Sequence, residues 1–456
     1  MNDRDNNIGI GKYSWSYIIK WLFIVLLIYG LGSILLANPF SMFNSYTGPV
    51  SYSKVMYFHG LTVGLAGLLA LFVSQVLNLS NLIKKIIFYF TVATIILGTT
   101  GGAINRSMTN TKVTLWYQVL SFFALDVVLI TLLVGLITTK NKRLKNEKGL
   151  YYIAISGSAA TVIGGLFGDL SGFILDFGNW PGICGWYANK IGYSLAEWKK
   201  VITTSHYDNM FVGLLSLMIA VFIWQYGQCL AKKANKTLIF FEYWTFISTV
   251  LTIVMYVVQG IGGTKLVLPN LFTAKGIVAQ TNSGVSSGDM AKGLVIIGGL
   301  VILSIIVFGE RQAGKNLDKT AKLTTSTFLL IWSFIAVILM GFGFFQQFHR
   351  TWFRSLINAP HAAYGFAFRN VHLNIAILLM PYLIVFLFFS SLILKNRFSH
   401  KICLFARGIA VLWFIGSCIY VLFVPSPFGP GYWFIAAGVV MLILSVVYFF
   451  INDKEH

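Results

Sequence analysis

Histidine is the residue type here best suited to hold a metal, and the seven histidines of the chain are unevenly placed. His400 sits in a short basic segment and His456 is the last residue, so neither has a setting for chemistry. His349 lies in the polar stretch QFHRTWFRSLINAPHAAY, and His361 near its end. The other three, His59, His206 and His372, each stand near the start of a long apolar run. His59 is followed by Gly60 within SKVMYFHGLTVGLAGLLALFVSQVL, and His372 lies in NVHLNIAILLMPYLIVFLFF. A neutral imidazole offers one ring nitrogen to a metal. A lone membrane histidine reads equally as a buried polar group bonded to a neighbouring helix. Ionisable groups within a membrane nevertheless lean toward function.

The elements that carry these residues follow from composition. The chain is 57% hydrophobic and 11% charged over 456 residues, with mean hydropathy +0.77. No soluble core needs that much apolar surface, so an all-α polytopic membrane protein is expected. Twelve apolar spans are expected, at 15–37, 53–77, 84–103, 113–139, 149–175, 203–230, 237–260, 291–309, 323–346, 365–394, 402–424 and 431–451. Each is near the ~20 residues that a helix needs to cross a bilayer. The first is too long for a signal-peptide core and lacks a clear small-residue cleavage site, so it counts as a span. His59, His206 and His372 then fall on spans two, six and ten, which run in the same direction. At 1.5 Å per residue, His59 and His372 lie roughly 9–11 Å below one membrane boundary. Equal depth on same-direction helices is what a shared metal requires. The two helices must then flank a slot rather than pack directly.

Charge sets the orientation. The segments after even-numbered spans are short and basic: Lys84-Lys85, KNKRLKNEK, AKKANK, ERQAGKNLDKTAK and KNRFSHK. The positive-inside rule puts these, the tail 1–14 and the tail 452–456 in the cytoplasm. The expected organisation is one transmembrane domain over 1–456 in the cell membrane. The net charge of +20 suggests no nucleic-acid partner, because the basic residues are scattered through loops that lipid and topology explain. The opposite loops differ. Residues 176–202, 261–290 and 347–364 are rich in aromatics and glycine, as membrane-interface belts or as a roof over a cofactor or partner. Cys184, Cys229, Cys403 and Cys418 form no CxxC or CxxCH, so neither a covalently attached c-type haem nor a disulfide framework is expected.

At this point the chain resembles the heme-copper oxidase superfamily, specifically its catalytic subunit I. The likeness runs nearly the whole length: twelve spans, cytoplasmic termini, and histidines on spans two, six and ten. YFHGLTVGLAGLLALF is similar to the family's second span, where a histidine followed by glycine binds the low-spin haem. The resemblance implies a bundle with pseudo-threefold arrangement. It also implies a haem iron held between His59 and His372. The family carries a His-x-His pair on span ten, and this chain reads Asn370-Val371-His372. By the order of the pair, His372 matches the low-spin ligand and Asn370 stands at the high-spin position.

Other family features depart. The copper site needs a span-six histidine four residues before a tyrosine, and two adjacent histidines on span seven. Here span six reads His206-Tyr207-Asp208-Asn209-Met210, and span seven ends VVQGIGGTKLVLPN without histidine. One imidazole does not hold copper against competing ligands, so copper is not expected. The paired arginines that face haem propionates before span twelve are missing from VPSPFGPGYW. Arg350, Arg354, Arg369 and Arg106 are the candidate substitutes. The family's proton channels are absent too: Lys292 stands only at the outer end of span eight. Asp126 and Asp169 are buried candidates on spans four and five, as proton relays or as groups bonded to helix backbone.

A haem with two histidine ligands has no open position for a substrate, so it moves electrons. The first expectation is therefore a b-type cytochrome-like electron carrier of a respiratory chain; the sequence does not separate haem b from a or o. Redox subunits on the outer face, or a quinol entering from the bilayer, would exchange electrons with it. The second is an oxidase or nitric-oxide-reductase-like enzyme with unusual ligands, drawing on His349 or His361. The third is a cofactor-free membrane anchor. His206, with Met210 on the same helix face, reads either as the ligand of a second haem or as a structural group bonded to Asp208 or a loop carbonyl.

Overall fold

The computed structural model describes residues 52–107, 111–172, 181–228, 230–262, 287–313, 317, 319–337 and 340, with single positions at 404, 408 and 411. These residues are helical and contain no strand. In chain order the helices are α1 (Tyr52–Val76), α2 (Asn81–Ser107), α3 (Thr111–Ile137), α4 (Lys142–Asn146), α5 (Lys148–Asp169), α6 (Pro181–Lys190), α7 (Leu195–Tyr226), α8 (Lys232–Val257), α9 (Ser287–Phe308) and α10 (Lys319–Ala336). A π-helical turn at Val258–Gly262 extends α8. Six of these helices are long and apolar enough to cross a bilayer, while Val63–Val76 and Ala321–Ala336 form shorter apolar stretches. The eight major helices coincide with expected spans two to nine. Spans one, ten, eleven and twelve, and both tails, lie outside the described residues.

Span six differs from its expected start. Helix α7 begins at Leu195 and runs 32 residues, because Ser194 and Glu197 form a capping box. The Ser194 backbone N–H donates to Glu197 Oε2 at 2.9 Å, and the Glu197 backbone N–H donates to Ser194 Oγ at 3.3 Å. This satisfies first-turn N–H groups that have no partner inside the helix. His206 is therefore three turns into its helix, against two for His59 in α1. The two are not at equal distance from their helix starts.

The basic connections gather at one end of the bundle. Asn141 caps α4 through its side-chain oxygen and donates Nδ2–H to the Leu77 carbonyl, just past α1, at 3.0 Å. The Arg143 guanidinium lies 4.5 Å over the Trp224 ring near the end of α7. Arg311, just past α9, donates to the carbonyls of Gln228, Tyr226 and Ile306. The Ala231 N–H donates to Glu310 O at 2.8 Å, beside the start of α8. Arg311 thus ties off helix-end carbonyls that lack partners of their own.

Helix α7 is the axis of the described bundle: 83% of its apolar window is buried, against 33% for α8 and 44% for α3 and α9. Lipid is as apolar as leucine, so burial here gains close packing rather than escape from water. Small residues permit that packing. Gly157 and Gly164 on α5 meet Ser216 and Met210 of α7, and a Cβ at Gly213 of α7 would reach 2.6 Å from the Gly157 carbonyl. Hydroxyls join other helices: Thr91 donates to Gly67 O at 3.1 Å and Ser121 to Thr94 O at 2.9 Å.

At the opposite end, part of the aromatic segment 176–202 is structured. Helix α6 folds down beside the start of α7, and Phe167, Cys184, Tyr193 and Trp198 bury together. Trp198 Nε1–H donates to Gly260 O at 2.8 Å and Tyr187 Oη–H to Ile261 O at 2.6 Å. The acceptors lie on the π turn, whose altered register offers these carbonyls to side chains. These aromatics form a small core that pins α6 and α7 to the end of α8.

Candidate functional site

The polar groups nearest the expected site lie on α7. Residues two apart on a helix point roughly 200° apart, so His206 and Asp208 face different neighbours. His206 faces α5. Its Nδ1 is 2.7 Å from the Gly164 carbonyl, and its ring lies against Gly168, where a Cβ would come within 2.5 Å of Nδ1. A carbonyl only accepts, so Nδ1 carries the proton and Nε2 the lone pair. Asp169 is close enough to act on the imidazole electrostatically. Asp169 also lies beside the Asp126 carboxyl of α3, which Gly165 gives room. Asp126 and Asp169, expected as relays or as groups bonded to helix backbone, lie side by side between α3 and α5.

Asp208 faces α8 and α9. It is 2% exposed. Tyr256 Oη–H donates to its Oδ2, and Lys292 Nζ donates to its Oδ1 at 2.7 Å. Gly288 leaves space for the Tyr256 ring. This buried carboxylate is thus neutralised by one cation and one hydroxyl, which is how a charge persists in a low-dielectric interior. Of the expected structural partners of His206, Asp208 or a loop carbonyl, the bond that forms is to a carbonyl, and it belongs to helix α5 rather than to a loop. Met210 shares the α5-facing side of α7 with His206, as their i, i+4 spacing implies. Sequence reasoning missed the Asp208–Tyr256–Lys292 cluster. Its signal was two opposite charges on neighbouring apolar spans, each at the same end.

A further buried carboxyl lies near the basic end. Glu242 of α8 is 6% exposed, and its carboxyl lies against Gly149 and accepts the Leu150 N–H. Glu147, at the N-cap of α5, makes no side-chain capping bond. Glu242 therefore caps α5 from another helix, where its carboxyl meets the first-turn N–H groups that lack partners within the helix. Glu147 lies outside the spans; burial pushes its carboxyl up, opposed by the nearby Arg143.

His59 lies on α1, about 10 Å past its start at Tyr52. Its ring lies outside the described atoms. His349, His361, His372, Asn370, Arg350, Arg354 and Arg369 lie outside the described residues, as does the Arg106 side chain. Among the described residues no group of three or more His, Cys, Asp or Glu is arranged to hold a metal ion. The described part of the donor set fits haem in one respect: His206 has the tautomer that a ligating imidazole uses, with Nδ1–H on a backbone carbonyl. Compared with protein-family models, curated proteins and solved structures, the chain matches none of them.

Proposed function

We propose that the chain is a membrane-embedded haem protein that carries electrons in a respiratory chain of the cell membrane. His59 and His372 would hold its iron, with both termini on the cytoplasmic side. The observation that carries the reading is His59 itself: one imidazole, followed by Gly60, inside an unbroken 25-residue apolar helix. Arg350, Arg354 and Arg369 are the cations for the propionates. Bound there, a b-type haem would supply one-electron exchange with an outer-face redox subunit or a quinol, and the closed coordination leaves no position for oxygen. Copper has no part in this reading.

The test is a reduced-minus-oxidised spectrum of the purified protein. One low-spin haem signal without response to CO is expected. His59→Ala and His372→Ala each abolish it, and His206→Ala leaves it in place. Loss of the signal in His206→Ala, with His372→Ala silent, would pair the wrong helices and overturn the assignment.

One observation favours a second reading. The Gly164 carbonyl holds His206 with its lone pair on Nε2, as a proximal ligand of a five-coordinate haem would be held. That arrangement suits the alternative of an oxidase-like or reductase-like enzyme, and a CO-binding, high-spin signal lost in His206→Ala would select it. A chain without any haem signal is the cofactor-free anchor.

A further inference from the structure

Two exposed lysines stand over the seam where α5 meets α8 at the basic end. Lys148 is the first residue of α5, and Lys236 lies one turn into α8. The Glu242 carboxyl, set against Gly149 and the Leu150 N–H, pins the two helices together at this level. Helical spacing fixes what lies below each lysine. Tyr152 is one turn on from Lys148, and Tyr243 is two turns on from Lys236, so each tyrosine shares a helix face with its lysine. The tyrosines then meet across the seam. Their ring centroids are 6.1 Å apart, and the Phe246 ring is 5.2 Å from that of Tyr152. The lysines thus flank the mouth of one groove, roughly 6–10 Å along the helices from a floor of neighbouring rings.

From its mouth inward the groove is cationic, then polar, then apolar. Among the described residues Lys148 and Lys236 have no carboxylate partner. The carboxyls nearest them are engaged elsewhere: Glu147 lies 3.7 Å from Arg143, and Glu242 caps α5. The Tyr152 and Tyr243 hydroxyls make no hydrogen bond among the described residues. Beyond Tyr243 the same face of α8 carries Ile247, Leu251 and Val254, all exposed. A belt of tyrosines at the membrane boundary is the plain alternative. A belt leaves its hydroxyls to water, and it needs neither a cation above each ring nor a pair of rings across a seam. An acidic protein segment would satisfy the lysines alone. A molecule with both an anionic headgroup and hydrocarbon chains satisfies all three zones at once.

We infer that the α5–α8 seam holds one anionic phospholipid. Lys148 and Lys236 take the phosphodiester, each as a point charge with three N–H donors. The Tyr152 and Tyr243 hydroxyls donate to the glycerol ester carbonyls. The acyl chains lie along Ile247, Leu251 and Val254. Lysine stems reach such a headgroup by running along apolar surface with the ammonium at the boundary. None of these residues belongs to the haem assignment, so the two ideas stand or fall separately.

The test is native mass spectrometry of the purified full chain in detergent, incubated with dioleoyl phosphatidylglycerol or dioleoyl phosphatidylcholine. One phosphatidylglycerol retained per chain is expected. Two lysines beside an anionic headgroup give a preference over phosphatidylcholine of about thirtyfold. Lys148→Gln with Lys236→Gln brings phosphatidylglycerol down to the phosphatidylcholine level. Lys85→Gln with Lys322→Gln removes the same charge from exposed positions on α2 and α10, away from the seam, and leaves retention unchanged. Tyr152→Phe with Tyr243→Phe lowers retention but keeps the preference, because both lipids carry the esters. The thermal midpoint in lipid-free detergent checks that each variant is folded. Equal retention of the two lipids overturns the proposal. So does equal loss in the two lysine pairs, which would make the basic end one diffuse field. A midpoint raised by inorganic phosphate as much as by phosphatidylglycerol assigns the lysines to a soluble anion and overturns it. A midpoint raised by a polyglutamate peptide and by neither lipid assigns them to an acidic protein, with the same consequence.

Discussion

Asp208 shows how one residue is held charged inside the bundle. Its carboxylate has Lys292 on one oxygen and Tyr256 on the other. Removing one member of such a set leaves the rest uncompensated, which costs about 3–5 kcal/mol for the ion pair and about 1–3 kcal/mol for the hydroxyl. Asp208→Asn and Lys292→Met are each expected to lower the unfolding midpoint sharply in detergent. Tyr256→Phe lowers it less. The double variant Asp208→Asn, Lys292→Met recovers much of the loss, because the interior no longer holds a lone charge; strict additivity in the cycle would contradict the pairing. Cys184 carries a second prediction at this scale. It is 5% exposed on α6, and burial pushes its thiol up, away from the reactive thiolate. Iodoacetamide at neutral pH is expected to modify the Cys184 peptide only after unfolding, as read by mass spectrometry.

Between elements, the α5–α7 contact depends on residues without side chains. A Cβ at Gly168 would stand 2.5 Å from His206 Nδ1 and 2.6 Å from Cε1. The ring has no freedom to retreat, since Nδ1 is held by Gly164 O of the same helix. Gly168→Ala is expected to destabilise the fold by about 1–3 kcal/mol, the usual cost of overpacking. His206→Ala in the Gly168→Ala background should restore most of it. Failure of that rescue, with thermal midpoint as the measure, would mean that the strain lies in the α5 backbone rather than at the ring. The π turn at the end of α8 belongs to the same scale. Trp198→Phe removes its bond to Gly260 O at the cost of about 0.5–1.5 kcal/mol. Faster proteolysis within 176–194 is the expected readout.

For the molecule as a whole, the gathering of basic connections at one end gives a directional expectation. Residues 140–148 and 231–236 are expected on the cytoplasmic side and α6 on the other. In a cysteine-free background, Lys145→Cys and Asn189→Cys are both exposed. An impermeant maleimide added to right-side-out vesicles is expected to label position 189 directly, and position 145 only after permeabilisation. Labelling of both, or the reverse order, contradicts the orientation.

Much of this arrangement is legible along the chain. Apolar run length and the position of Lys and Arg are local properties, so spans two to nine and their basic connections follow from them directly. The capping box SLAE at 194–197 was equally local, and it moves the start of span six back to Leu195. What the order of residues does not contain is the rotation of each helix about its own axis. A polar group in a membrane must find a partner, but which one depends on the face presented to a neighbour. Hence Asp208 meets Lys292 from 84 residues away rather than its near neighbour His206. Glu242 caps a helix begun 94 positions earlier, at Lys148. Asp126 lies beside Asp169. The membrane class and the helices of spans two to nine were thus determined by sequence alone. The choice of partner for each buried charge was made only when the helices packed.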